Sequence, residues 1–188
     1  MPTATVAYRL ARALRHAPDR LLHPWRRRRA RARLAALRPD SLLFVCHGNI
    51  CRSPFAAAAA RRLLPGLAAR ITSAGFIGPD RPAPAEALQA AASLGLDLAS
   101  HRSRLLDTRT ARSAGLVVVM DGAQARGVRS LGVAPARVLQ LGDLDPEPIE
   151  RRTIADPVEQ PLEVFLACYR RIDRCVGTLA AAITAPSA

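Results

Sequence analysis

An α/β fold is predicted from residue 41 onward: a three-layer, doubly wound, four-stranded parallel sheet flanked by helices, preceded by an Arg-rich N-terminal extension. Three observations carry this. Strand-like apolar runs alternate with longer helical stretches, which implies right-handed βαβ units and helices on both faces. About half of the 188 residues are apolar, enough for one core of ordinary size plus an appendage. Charge also divides the chain unevenly. Residues 1–40 carry 11 Arg against Asp19 and Asp40, a net +9, whereas the remaining 148 carry 17 Arg against 13 acids, a net +4.

The elements follow in order. Residues 1–40 place Tyr8, Leu10, Leu14, Leu21, Leu22 and Trp25 among arginines, a pattern that gives basic amphipathic helix or partly disordered chain, interrupted near Pro18 and Pro24. The second unit spans 41–188. Strands are expected at 42–46, 70–74, 115–120 and 137–141, and helices at 54–64, 84–94, 107–113, 122–131 and 161–183. In such a sheet the ligand site lies beyond the carboxyl ends of the strands, where Cys46 and Asp121 stand.

The most informative stretch is 45–54, V-C-H-G-N-I-C-R-S-P. The apolar run Leu42, Leu43, Phe44, Val45 precedes it and an Ala-rich stretch follows, so a buried strand feeds a tight loop that opens into a helix. Gly48 and Asn49 suit the turn, and Pro54 suits a first helical turn because its missing N–H costs nothing there. Backbone N–H groups at a helix start favour an anion in the loop, and a thiol in that field is expected to ionise readily. Arg52 adds a planar fork matched to two phosphate oxygens. The loop therefore reads as a phosphate cradle set against a nucleophilic sulfur.

With that loop in place, other pieces fall in order: the 71–75 run I-T-S-A-G, the segment from Gly95 through His101 to Arg104, the strand ending Met120-Asp121, and Asp156-Pro157. Together they resemble the low-molecular-weight protein tyrosine phosphatases over residues 41–184. The resemblance implies a phosphomonoester hydrolase acting on protein phosphotyrosine through a phosphocysteine intermediate. It implies Cys46 as nucleophile, Arg52 as phosphate clamp and Asp156 as general acid and base. The phosphate would lie against His47, Gly48, Asn49, Ile50, Cys51, Arg52 and Ser53. Ser53 would bond the thiolate, Asn49 would stabilise the loop, and Ser73 and His101 would brace Asn49. Cys51 would serve as the neighbour that protects Cys46 through a reversible disulfide. The acids Asp143, Asp145, Glu147 and Glu150 are a weaker candidate for the acid and read rather as a solvated loop, and Cys168 and Cys175, seven apart on one helix face, read as buried cysteines. No cofactor and no metal site is expected, since the cysteines form no zinc-like cluster.

Two departures bear on substrate. Val158 and Glu159 follow Asp156-Pro157 where the family often has tyrosines, and the segment after Gly75 lacks the family's tryptophan, leaving Phe76 or Ile77 for the pocket wall. The related arsenate reductases relay oxidation through two further cysteines, and this chain has none between Cys51 and Cys168. Protein-arginine phosphatases place threonine where Ile50 stands, so isoleucine favours phosphotyrosine. A non-catalytic phosphate-recognising module is the alternative of another class, and retention of both Cys46 and Asp156 argues against it. The expected partners are a phosphotyrosine protein, with bacterial tyrosine kinases as a class, and an anionic membrane surface or acidic partner for residues 1–40. Nucleic acid is disfavoured because the chain has only seven aromatic residues. A reducing cytoplasm suits the thiol chemistry, with peripheral membrane location through the extension.

Overall fold

The computed structural model describes the backbone of residues 3–185 and the side chains of residues 16–185. Tyr8, Leu10 and Leu14 of the expected amphipathic pattern therefore lie outside the described side chains. Four strands, β1 (Leu42–Cys46), β2 (Ile71–Gly75), β3 (Leu116–Val119) and β4 (Val138–Gln140), form one parallel sheet in the order β2-β1-β3-β4. The helices are α1 (Thr3–Leu37), α2 (Arg52–Leu63), α3 (Ala85–Ala92), α4 (Thr108–Ser113), α5 (Gly122–Ser130) and α6 (Leu162–Thr184).

The central strands β1 and β3 are buried along their whole length, as apolar runs covered on both faces must be. Their alternate side chains feed two cores. Leu42, Phe44, Leu116 and Val118 enter the larger core with Phe55 of α2, Ala87 of α3 and Tyr169 of α6. Leu43, Val45, Val117 and Val119 enter the smaller one with Ala111 of α4 and Val128 of α5. Inside the larger core Tyr169 stacks on Phe55 with ring centroids 4.0 Å apart and meets Phe165 edge-on at 6.1 Å. The strand order reverses direction between β1 and β3, so a crevice opens between the carboxyl ends of these strands.

The extension departs from expectation. It is one uninterrupted helix through Pro18 and Pro24, and its C-terminal half is part of the core: Ala30 and Leu34 are buried with the α6 residues, and His23 is buried beside them. Each proline removes one helical hydrogen bond at a cost of about 3 kcal/mol. Both lie on the exposed side of α1, where a helix wrapped over a core already opens its bonds, and docking of the opposite face offsets the rest. The acids at 143–147 also differ from a solvated loop. Asp143 and Asp145 are buried, Asp143 under Arg152 at 2.5 Å and Asp145 between Arg171 at 2.9 Å and Arg174 at 2.7 Å, while Glu147 stays largely exposed near Arg174. A carboxylate is removed from water only where paired charges and N–H donors replace the solvent.

Candidate active site

β1 ends at Cys46 and α2 starts at Arg52, two residues earlier than the sequence pattern indicates, so the loop between them is closed into a tight turn. Asn49 takes a left-handed backbone (φ +51°), which its short polar side chain tolerates better than most residues. That turn aims its N–H at Cys46 Sγ, 3.2 Å away. Ser53 Oγ lies 3.0 Å from the same sulfur and accepts from Asn49 Nδ2 at 2.8 Å. Cys46, Asn49, Arg52 and Ser53 are all buried, whereas His47 is exposed and Gly48 and Ile50 are half-buried.

The loop is braced from three sides. Arg104 donates its backbone N–H to Asn49 Oδ1 at 2.8 Å, and His101 Nε2 lies 2.6 Å from the Asn49 carbonyl. Because a carbonyl only accepts, His101 carries its proton on Nε2. Burial pushes the His101 pKa down, the Asn49 carbonyl opposes this, and Arg104, Arg61 and Arg102 add to the fall. The ring thus stays neutral at neutral pH. Ser73, expected beside His101 in this role, makes no hydrogen bond to Asn49: Asn49 Oδ1 accepts from Arg104 N–H and Nδ2 donates to Ser53. Ser73 lies two strand residues before Gly75, roughly 7 Å back along β2, and it pairs in register with Phe44.

Gly75 is where β2 crosses the loop. A Cβ there would stand 2.7 Å from Asn49 N and 2.8 Å from His47 O, so only glycine lets the two backbones meet. Phe76 N–H then donates to His47 O at 2.7 Å. Three further supports were not legible in the loop itself: Arg81 Nη2 donates to Gly48 O at 2.9 Å, Tyr169 Oη donates to Cys51 O at 3.1 Å, and Ile154 O accepts from Arg52. A large side chain on the last helix, spaced to face the core, was the one available signal for Tyr169.

Arg52 joins the loop to the acid segment. Its Nη1 donates to Ile154 O at 3.0 Å and its Nη2 pairs with Asp156 Oδ2. Its Nε–H is buried and has no partner among the described residues. Asp156, a third exposed, also accepts weakly from Val158 N–H at 3.4 Å. The structure therefore brings Cys46, Arg52, Ser53, Asn49 and Asp156 together from β1, α2 and a segment a hundred residues away. All four cysteines carry free thiols. Cys51 is pushed up to about 12 by burial, with Asp156 and Cys46 adding to the shift, and burial likewise raises Cys168 to about 12 and Cys175 further. Phe76 packs toward Gly127, which leaves Ile77 and Val158 as the exposed apolar side chains flanking the loop and the acid. Asp121 caps α5 by accepting from Gln124 N–H. Among the described residues no group of His, Cys, Asp and Glu is arranged to hold a metal ion, and no helix is long and apolar enough to cross a membrane.

Comparison with known proteins agrees with this geometry. The model of the low molecular weight phosphotyrosine protein phosphatase family matches residues 41–187. The probable low molecular weight protein-tyrosine-phosphatase EpsP of Ralstonia nicotianae is 36% identical over 137 residues, covering 72% of this chain and 90% of that protein. Etp of Escherichia coli K12, a low molecular weight protein-tyrosine-phosphatase, is 34% identical over 145 residues, 75% of this chain and 93% of Etp. The crystal structure of the tyrosine phosphatase Wzb from Escherichia coli K30 in complex with sulphate superposes with a TM-score of 0.67 at 30% identity, covering 76% of this chain and 96% of that one. The chain belongs to the low molecular weight phosphotyrosine protein phosphatase family.

Proposed function

We propose that the protein hydrolyses phosphotyrosine in proteins by two phosphoryl transfers through Cys46. The observation that carries the reading is the convergence on Arg52: its guanidinium lies in the same loop as Cys46 Sγ, holds the Asp156 carboxylate, and keeps one buried Nε–H unspent. In the first transfer the Cys46 sulfur attacks phosphorus, the phosphorus–oxygen bond to tyrosine breaks, and Asp156 gives its proton to the departing phenolate oxygen. In the second, the Asp156 carboxylate takes a proton from water as that water attacks phosphorus. The sulfur–phosphorus bond breaks and the sulfur leaves as thiolate. Ser53 Oγ accepts from Asn49 Nδ2 at 2.8 Å, and its single proton has two acceptors in reach, Cys46 Sγ at 3.0 Å and the more distant Ala74 O at 3.4 Å, so the hydroxyl is placed to bond the sulfur. Arg52 and the loop N–H groups match the equatorial oxygens, where charge sits in a loose transition state.

Phosphotyrosine is favoured by Ile50, Ile77 and Val158, which offer apolar surface at the mouth, and by the names of the relatives. A bacterial tyrosine kinase is the partner class this suggests. Hydrolysis of phosphotyrosine, phosphoserine and phosphoarginine peptides should be measured side by side. Turnover confined to phosphotyrosine is expected, and faster turnover of phosphoarginine would reject the assignment.

A reducing cytoplasm suits a protein whose nucleophile must remain a free thiol. Peripheral attachment to anionic membrane is the proposal for α1: Leu21, Leu22 and Trp25 are 78%, 45% and 57% exposed beside exposed Arg20, Arg28, Arg29 and Arg31. An apolar stripe rimmed by arginines is the composition of an interfacial helix. Co-sedimentation with vesicles containing anionic lipid should fall when Leu21 and Trp25 are both replaced by Ala, and equal sedimentation of both proteins would reject it.

A further inference from the structure

The segment that carries Asp156 has no regular secondary structure between Asp145 and Asp156, so its course depends on what ties it down. The N-terminal helix supplies three ties. His23 Nε2 donates to Asp145 O at 2.9 Å, Arg27 donates to Pro146 O at 2.6 Å, and Asp19 Oδ2 accepts the backbone N–H of Arg152 at 3.0 Å. Asp19 is itself held, since its Oδ1 accepts from Arg26 at 2.9 Å. Burial pushes the Asp19 pKa up, but the Arg152 N–H and Arg26 outweigh it and keep the carboxylate below its ordinary range. The Arg152 side chain then grips both oxygens of Asp143 at 2.5 and 2.6 Å, so the α1 anchor is locked to the buried acid at the start of the segment.

The distance from this anchor to the chemistry is short. Two residues past Arg152, Ile154 donates its N–H to Met120 O at the end of β3 and gives its carbonyl to Arg52, each at 3.0 Å. Two residues further stands Asp156. Four residues of chain span at most about 14 Å, and a displacement of about 1 Å at a reacting group can cost up to a hundredfold in rate. The family match begins at residue 41, so the α1 end of each tie lies outside the matched region and the other end, on Asp145, Pro146 or Arg152, lies within it.

We propose that Asp19 and His23 are positioning residues for the general acid: α1 serves this enzyme as a built-in brace that fixes where Asp156 meets the leaving-group oxygen. The proposal rests on Asp156 being that acid. A helix that only covers the core would lower stability when its ties are cut but would not alter how rate depends on the leaving group.

The test uses the full chain and aryl phosphates whose phenols range from strongly to weakly acidic. Asp19→Ala is expected to lose about tenfold in kcat on the poorest leaving groups and less than about twofold on the best. In an Asp156→Ala background the same substitution is expected to change neither. Asp19→Asn keeps an oxygen for the Arg152 N–H and should recover most of the loss; His23→Ala should reproduce the Asp19→Ala pattern. A loss equal across leaving groups, or an equal loss with and without Asp156, overturns the brace. If Asp156→Ala alone shows no dependence on the leaving group, the acid assignment fails instead, and the two failures are told apart.

Discussion

The phosphate loop and the acid segment meet at Arg52 but are secured in different ways. The sulfur, Asn49 and Ser53 bind one another across three to seven residues, and long-range supports such as His101 only brace a turn that is already closed. The segment from Asp143 to Asp156 is pinned within itself chiefly at the Arg152–Asp143 pair and otherwise depends on distant partners. It is tied by α1 across 122 and 133 residues, by Arg52 across 102 and 104, and by Arg171 of α6 at Thr153 O and Arg151 O. The difference teaches that the proposed nucleophile is placed by local sequence and the proposed acid by tertiary structure. An element outside the family match, such as α1, is on the proposed account able to retune the acid without touching the loop.

Breaking the loop should have the largest effect. Cys46→Ser leaves the turn intact, because a hydroxyl can still accept the Asn49 N–H, yet removes the proposed nucleophile; a fall in kcat on the order of 10⁴-fold or more is expected in steady-state assays. Breaking the outer scaffold should cost stability first. Asp145 is fully buried between two arginines, so Asp145→Ala removes the shared carboxylate of Arg171 and Arg174, leaves them only the Thr153 and Arg151 carbonyls and Glu147, and should destabilise by about 3 kcal/mol in chemical denaturation. A loss under about 1 kcal/mol would show that water replaces the carboxylate and that the segment is not held there.

The smallest effect lies in the brace of the loop. The His101 pKa is lowered from its ordinary 6.5 by burial and by neighbouring arginines. Below that value the unfolded chain takes up a proton that the folded one resists, so the unfolded state binds more protons and stability falls with acid. The contribution is fully present above pH 6.5 and is lost as pH falls toward the folded value. His101→Gln, which keeps a donor for the Asn49 carbonyl, should flatten stability between pH 5 and pH 7 (about the range in which histidine titrates). An unchanged slope would place the titration elsewhere.

The same contrast explains how much could be seen in the sequence. The uniform run Leu42 to Val45 locates β1 because a strand covered on both faces has no polar side, and the Gly-Asn turn with Ser53 and Pro54 locates the helix start. Asp156 is found only through its Asp-Pro neighbour and the order of other motifs. What failed were features set by burial at a distance. Pro18 and Pro24 look like breaks because helix propensity is local, while the docking of Ala30 and Leu34 is not. Asp143 and Asp145 look solvated because their arginine partners lie on α6 and at Arg152. The motif points Ser73 at Asn49, whereas the amide is held by Arg104 N–H and by Ser53.

The central claim is that one covalent intermediate on Cys46 serves every substrate. Its most direct test is product partitioning: hydrolysis of several aryl phosphates in water containing methanol, with inorganic phosphate and methyl phosphate both quantified. If the leaving group has departed before the acceptor attacks phosphocysteine, the ratio of the two products is the same for every leaving group, and that constancy is the predicted result. A ratio that changes with the leaving group would mean that it is still present at the second attack, and would contradict the two-step account.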